Sequence, residues 1–244
     1  MIKLSNKHAF EFVTASGAMG YDGKGWTHEQ PLRWFGLLDV SLFTHVMKSI
    51  TLKPRKGNFR WFKPWDCVRP IWEGIKIIGA VNAFGLTNPG FDWWVKTIGP
   101  KVKSSKIKLI GSIFGEPKEL GIMAPILNAF DLVALEINVS CPNAKNDTLS
   151  NLGKVIRSCE AVKARSRHPV ILKLSVAHDI EKIVAEVEGM IDAFDIKSVP
   201  WRVIFPNCKS PLEKYGGGAV SGKIAQPLTW SFAEKIKNIT NAPV

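Results

Sequence analysis

No stretch of this 244-residue sequence approaches the about 18 uninterrupted apolar residues that a membrane-spanning helix requires. The opening segment, Met1 to Lys7, is too polar for a secretory leader. The chain therefore reads as cytoplasmic, with no membrane partner. Cysteine is scarce: Cys67, Cys141, Cys159 and Cys208 stand apart without CxxC spacing, which argues against a disulfide framework and a zinc site. Five histidines form no ligand cluster, so no metal is expected. Acidic residues are also few, 21 against 33 Lys and Arg, for a net charge of +12. The basic residues are dispersed, without a long run, so the excess reads first as a solvated lysine-rich surface. That distribution argues against a nucleic-acid partner, whereas small anions remain suitable ones. Repeats and low-complexity tracts are absent.

What is present is enough apolar material, 45% of residues, to bury one full core. Short β-branched runs alternate with helical periodicity, the signature of βαβ units. Strands are expected over Phe10–Thr14, Leu42–Ser49, Ile107–Phe114, Leu132–Val139, Val170–Val176 and Trp201–Phe205. Leu152, Val155, Ile156, Cys159 and Val162 form one helical stripe, and Ile180, Ile183, Val184, Val187 and Ile191 form another. Asp179 suits the N-cap of the second, and Pro227 suits the first turn of a final helix reaching Ile239. The count is about six strand–helix units, and Asn241–Val244 looks like the entry to a seventh strand. The expected fold is α/β, a (β/α)8 TIM barrel with six of its eight units, organised as one domain over residues 1–244. Within it, residues 53–79 are Pro-, Trp- and Arg-rich with little periodicity, and read as a loop insertion.

The most informative stretch is Glu136-Ile137-Asn138-Val139-Ser140-Cys141-Pro142-Asn143, at the C-terminal end of a strand, where barrel enzymes carry their chemistry. Asparagine amides both donate and accept, which suits a ring with alternating N–H and C=O groups. A cysteine between them can accept a proton where its surroundings favour the thiolate. The same residues would also make an ordinary capped strand end. Lys173 is centred in an apolar strand, a costly position without a charged partner.

Further short motifs stand in order along the chain: Ala15-Ser16-Gly17, Lys48-Ser49-Ile50-Thr51-Leu52, Pro54-Arg55-Lys56-Gly57-Asn58, Asn82-Ala83-Phe84-Gly85-Leu86-Thr87-Asn88-Pro89-Gly90, Leu172-Lys173-Leu174 and Gly217-Gly218-Ala219-Val220-Ser221-Gly222. Together with the octapeptide they resemble the dihydroorotate dehydrogenase family over essentially the whole chain. Cysteine at 141 resembles the soluble class 1 enzymes, which use a cysteine base. The resemblance implies FMN as cofactor, held by Ala15, Ser16, Gly17, Lys48, Ser49, Ser112, Asn138, Lys173 and Gly222. It implies a substrate site for dihydroorotate and orotate at Lys48, Asn82, Phe84, Gly85, Leu86, Asn138, Asn143 and Asn207. Cys141 and Lys48 would be the catalytic pair. The implied reaction belongs to de novo pyrimidine (UMP) biosynthesis, with proton removal by Cys141 and hydride transfer to flavin N5. The implied protein partner is either a second copy in a homodimer or an iron–sulfur flavoprotein subunit.

The sequence departs from that pattern in two places. The connection from Asn58 to Asn82 is longer than the family's and carries Trp61, Trp65 and Trp72 among Arg60, Lys63 and Arg69. After Asn207, Cys208 stands where the family has Ser or Thr. The family's phosphate-holding loops follow strands seven and eight, so low flavin content is expected of a chain limited to these residues. Two other readings follow from these features: a pyrimidine reductase like dihydropyrimidine dehydrogenase, which shares the Asn-x-Ser-Cys-Pro motif, and a non-catalytic or RNA-binding barrel remnant with interleaved aromatic and basic residues.

Overall fold

A computed structural model describes residues 1–60, 62–103, 106–140 and 151–244. Its strands are β1 (Ile2–Lys3), β2 (Ala9–Phe10), β3 (Val13–Thr14), β4 (Thr44–Val46), β5 (Val68–Glu73), β6 (Lys76–Asn82), β7 (Lys108–Ile113), β8 (Ala134–Asn138), β9 (Val170–Leu174), β10 (Ala193–Ile196), β11 (Val199–Pro200) and β12 (Ala219–Ser221). Six of them form a parallel sheet in the order β10-β9-β8-β7-β4-β3. Helices Pro117–Leu127, Leu152–Lys163 and Ile180–Val187 make the successive crossovers from β7 to β10. The architecture is an incomplete (β/α)8 barrel with six of the eight strands, as the alternation of patterns predicts.

Alternation along each strand sorts residues to two faces, because side chains point to opposite sides with a period of two. Leu109, Ile113, Leu135, Ile137, Leu172, Leu174 and Phe194 face outward into one large core with Leu120, Met123, Leu127, Val155, Cys159, Val162, Ile183 and Val187 of the helices. The inward face is graded. Its lower layer is apolar, with Val46, Ile110, Ala134, Ile171 and Ala193 packed on Leu4 and Phe10 of the antiparallel β1–β2 pair. Two residues further along the same strands come Ser112, Glu136, Lys173 and Asp195. One face of one sheet thus passes from oil to charge in a single pleat, and the charged end is the C-terminal end of the strands.

Three elements differ from the sequence reading. Trp201–Phe205 is not a strand: Trp201–Ile204 is a single helical turn begun by Pro200, and the sixth barrel strand is β10, Ala193–Ile196. The second helical stripe ends at Val187, with Gly189 at φ +86°, which releases the chain into β10 earlier than its apolar periodicity suggests. The segment 53–79 is no plain loop: β5 and β6 form an antiparallel hairpin, extended by β12 and β11 into a four-stranded sheet in the order β11-β12-β6-β5. At the other end of the barrel sheet, Phe194 N donates to Pro243 O at 2.8 Å, so the terminal residues do begin to pair with β10.

Candidate active site

The charged layer forms one connected hydrogen-bond chain across the strand ends. Ser16, following β3, lies 3.1 Å from the Ser49 hydroxyl, and Ser49 lies 2.7 Å from that of Ser112 on β7. Ser112 Oγ donates to Glu136 Oε1 at 2.7 Å, and Lys173 Nζ donates to the same oxygen at 3.2 Å. Lys173 also pairs with Asp195 on β10 at 3.6 Å. Asn138 Nδ2 donates to Ser49 Oγ at 2.8 Å, while its own carbonyl accepts from the Ser140 backbone N–H and hydroxyl. Ser49, Ser112, Glu136, Asn138 and Lys173 are all buried.

The electrostatics follow from this packing. Burial alone would pull Lys173 down, but Glu136 and Asp195 outweigh it and hold the ammonium above its ordinary value. Burial pushes the Glu136 carboxyl above the usual carboxylate range, against the opposing pull of Lys173 and Ser112. An ammonium has three N–H donors. Here it donates to Glu136 and lies within ion-pair distance of Asp195.

Beside this chain, Gly17 adopts φ +79°, and a Cβ there would lie 3.2 Å from Cβ of Lys48, so the glycine backbone packs directly on the lysine stem. Lys48 is half-buried, with Nζ 5.7 Å from the ring centre of Phe84. Phe84 belongs to the 82–86 turn, which is clamped from below: Asn58 Nδ2 donates to Ala83 O at 2.8 Å and Asn58 N to Phe84 O at 2.9 Å. Gly85 and Leu86 both have positive φ, and Leu86, with no glycine to ease it, marks a held conformation. Asn82 donates to Ala219 O at 3.3 Å across the second sheet.

The structure therefore brings together Ser16, Gly17, Lys48, Ser49, Ser112, Asn138 and Lys173 at the strand ends, with Asn82, Phe84, Gly85 and Leu86 alongside; Ala15 is exposed at their margin. Cys141 and Asn143 lie outside the described residues. Two residues lie elsewhere. Asn207 follows the helical turn after Pro200 instead of the sixth strand; it is exposed and lines a cleft of 640 Å³ with Trp201, Cys208 and Gly217. The residues that do follow the sixth strand are Lys197 and Ser198. Gly222 sits at the end of β12 away from Asn82, where a side chain would meet the Gly79 backbone at 2.6 Å, so the two strands pack closely there. Glu136 and Asp195 escaped the sequence reading as site residues. The signal that finds them is the period of two that places them on the inward face with Lys173.

The model of the dihydroorotate dehydrogenase family matches residues 11–244. Over 244 residues the chain is 28% identical to "dihydroorotate dehydrogenase B (NAD(+)), catalytic subunit" of Bacteroides thetaiotaomicron, covering 95% of this chain and 73% of that protein. The protein of the same name from Caldicellulosiruptor bescii is 30% identical over 93% of this chain and 70% of its own length. That of Desulforudis audaxviator is 32% identical over 88% and 67%. With 234 of its 244 residues inside the family model and the shared motifs gathered at one end of a barrel sheet, the chain belongs to the dihydroorotate dehydrogenase family.

Proposed function

We propose that the chain oxidises dihydroorotate to orotate with FMN as the immediate hydride acceptor. The observation that carries the reading is Lys173, a buried ammonium held between Glu136 and Asp195 at the strand ends. The residues present fit a flavin ring: a glycine backbone at Gly17 leaves a flat approach, and Ser49, Asn138 and Lys173 supply donors along one side. FMN, when bound, would accept the C6 hydride at N5, and a cation beside its N1–C2=O edge favours the reduced, anionic ring. The chain's own work is the rest. Cys141 takes the C5 proton as its thiolate. Lys48, whose stem rests on Gly17 and whose ammonium lies near Phe84, would hold the substrate carboxylate together with the backbone of the Phe84–Leu86 turn. Asn82, Asn138 and Asn143 would take the ring amides. The substrate loses one proton and one hydride, which balances the two-electron change.

The relatives are named as catalytic subunits of an NAD-linked enzyme. We infer accordingly that this chain works with a separate electron-transfer subunit and not as a homodimer acting alone.

The test is anaerobic. Purified protein supplied with FMN should lose its flavin absorbance near 450 nm on addition of dihydroorotate, and Cys141→Ala should prevent the loss while leaving flavin bound. A flavin-loaded protein bleached by dihydrouracil and not by dihydroorotate would make it a reductase of neutral pyrimidines instead.

A further inference from the structure

The β5–β6 hairpin belongs to the stretch by which this chain departs from the family pattern, and the active site uses it only at its Asn82 end. The opposite end is apolar and open to solvent. Trp72 stands opposite Ile77 and Glu73 opposite Lys76, so Gly74 and Ile75 make a two-residue turn, with Gly74 at φ +58°. Such turns favour glycine and short polar residues. Ile75 nevertheless occupies the apex and is 93% exposed. Residues opposed across an antiparallel pair share a face, so Trp72 and Ile77, 56% and 61% exposed, form an apolar pair directly behind that apex. The hairpin does not need them for its own anchorage, because Val81 at its other end is buried with Val199, Leu212, Val220 and Ala225. Single exposed apolar residues are ordinary, but three gathered on one projecting tip mark a contact surface.

The charge around the tip narrows what can cover it. Arg69 and Lys76 are exposed on the two strands, and Lys223 is exposed beside them, on the turn whose Ile224 packs against Gly79. Glu73 is the one acid of the hairpin and stands opposite Lys76, in a chain of net charge +12. A second copy docking on the same patch would bring this positive tip against itself. Pairing along the outer edge of β5 is blocked as well, by Pro70 and by the bulge between Ile71 and Trp72. Nucleic acid fits poorly, since Ile75 and Ile77 offer no aromatic plane for a base. An aliphatic apex, a tryptophan at its shoulder and basic residues set back from it follow the depth profile of a lipid surface: acyl chains, interface, phosphates. Ile77 precedes Asn82 by five residues, about 17 Å of strand, so a tip held at such a surface leaves the Asn82 end of the hairpin free.

We propose that the tip of the β5–β6 hairpin is a peripheral attachment site for an anionic lipid surface. Ile75 inserts among the acyl chains, Trp72 and Ile77 lie at the level of the headgroups, and Arg69, Lys76 and Lys223 face the lipid phosphates. Attachment of this kind needs no spanning segment, and among the described residues no helix is long and apolar enough to cross a membrane. The association is therefore reversible, and its two parts respond differently to salt. Insertion of the apolar tip is indifferent to ionic strength, whereas the attraction of the basic residues to anionic headgroups is screened by it.

The experiment is co-sedimentation of the purified chain with vesicles of phosphatidylcholine alone and of phosphatidylcholine with one-third phosphatidylglycerol, at low and high salt. Wild type should pellet with the anionic vesicles, far less with the neutral ones, and in part be released by salt. Ile75→Asp should lower the bound fraction about fivefold or more while leaving the melting temperature unchanged, because the residue is 93% exposed. Ile75→Trp, which keeps an apolar apex, should bind as well as wild type. The double variant Lys76→Gln/Lys223→Gln should lose affinity for the anionic vesicles only. Failure of the wild type to pellet with anionic vesicles at low salt overturns the proposal. Equal binding by wild type and Ile75→Asp also overturns it, since the dispersed surface charge would then be the whole cause. A wild-type dimer in sedimentation velocity that Ile75→Asp converts to monomer overturns it in favour of self-association through the tip.

Discussion

Ser112 and Glu136, on adjacent parallel strands, share a 2.7 Å hydrogen bond inside the barrel, and through it a row of serine hydroxyls is tied to the Lys173 ion pair. Glu136 therefore has two partners, one neutral and one charged, and the loss of its carboxylate leaves both exposed to a dry interior. Breaking a buried pair from one side costs about 3–5 kcal/mol. Glu136→Ala should lose that much stability in urea denaturation, whereas Glu136→Gln, which still accepts from Ser112 and Lys173, should lose clearly less.

Lys197 carries the opposite expectation. Its value in the folded protein is lowered, so between that value and the ordinary 10.5 the unfolded chain binds more protons. Stability of the wild type should rise with pH across that window, because the charged amine is disfavoured at neutral pH. Lys197→Met should then be more stable than wild type near pH 7, by about 0.5–2 kcal/mol, the range common for a stabilising single substitution. The gain should shrink as pH approaches 10.5. Thermal melts at pH 7 and pH 10 check both the sign and the trend, and a Met variant less stable than wild type at pH 7 would count against the desolvated cation.

Asn58 lies outside the barrel sheet but controls the shape of the Ala83–Gly85 turn through two hydrogen bonds. Asn58→Ala should leave a carbonyl unsatisfied at a cost of about 1–3 kcal/mol. If that turn holds the substrate carboxylate, the variant's KM for dihydroorotate should rise more than its kcat falls. A loss confined to kcat would place the turn away from the substrate.

Gly17→Ala combines a left-handed residue with a Cβ 3.2 Å from Lys48. The backbone term alone is about 1–2 kcal/mol. The variant should melt lower and, when supplied with FMN, retain less of it than wild type in gel filtration with absorbance detection.

Much of this was legible in the residues. The strands around Ser112, Asn138 and Lys173 show period-two patterning against an apolar background, and the helices at 152–163 and 180–187 show clean stripes, the second with its expected cap at Asp179. Lys173 signalled itself by its cost. Its partners did not: Glu136 is 37 residues away and Asp195 sits in a strand of only four residues, and such long-range pairings leave no local trace. Trp201–Phe205 misled because four β-favouring residues, Trp201, Val203, Ile204 and Phe205, outweighed the Pro200 that starts a helical turn. The hairpin at 68–82 was hidden because Pro70 and the charges of β5 interrupt the alternation that an edge strand tolerates but a pattern search does not.

The second sheet imposes an order of events on synthesis. β6 pairs with β5 locally, but its other edge, including the backbone beside Asn82, waits for Ala219–Ser221, more than 130 residues downstream. Contacts so distant in the chain form late and slowly. On the ribosome the barrel strands up to β9 can assemble while the Asn82 edge of β6 still lacks its β12 partner, so the second sheet is completed after most of the first, and a chaperone acting between the synthesis of residues 174 and 219 would meet that open edge.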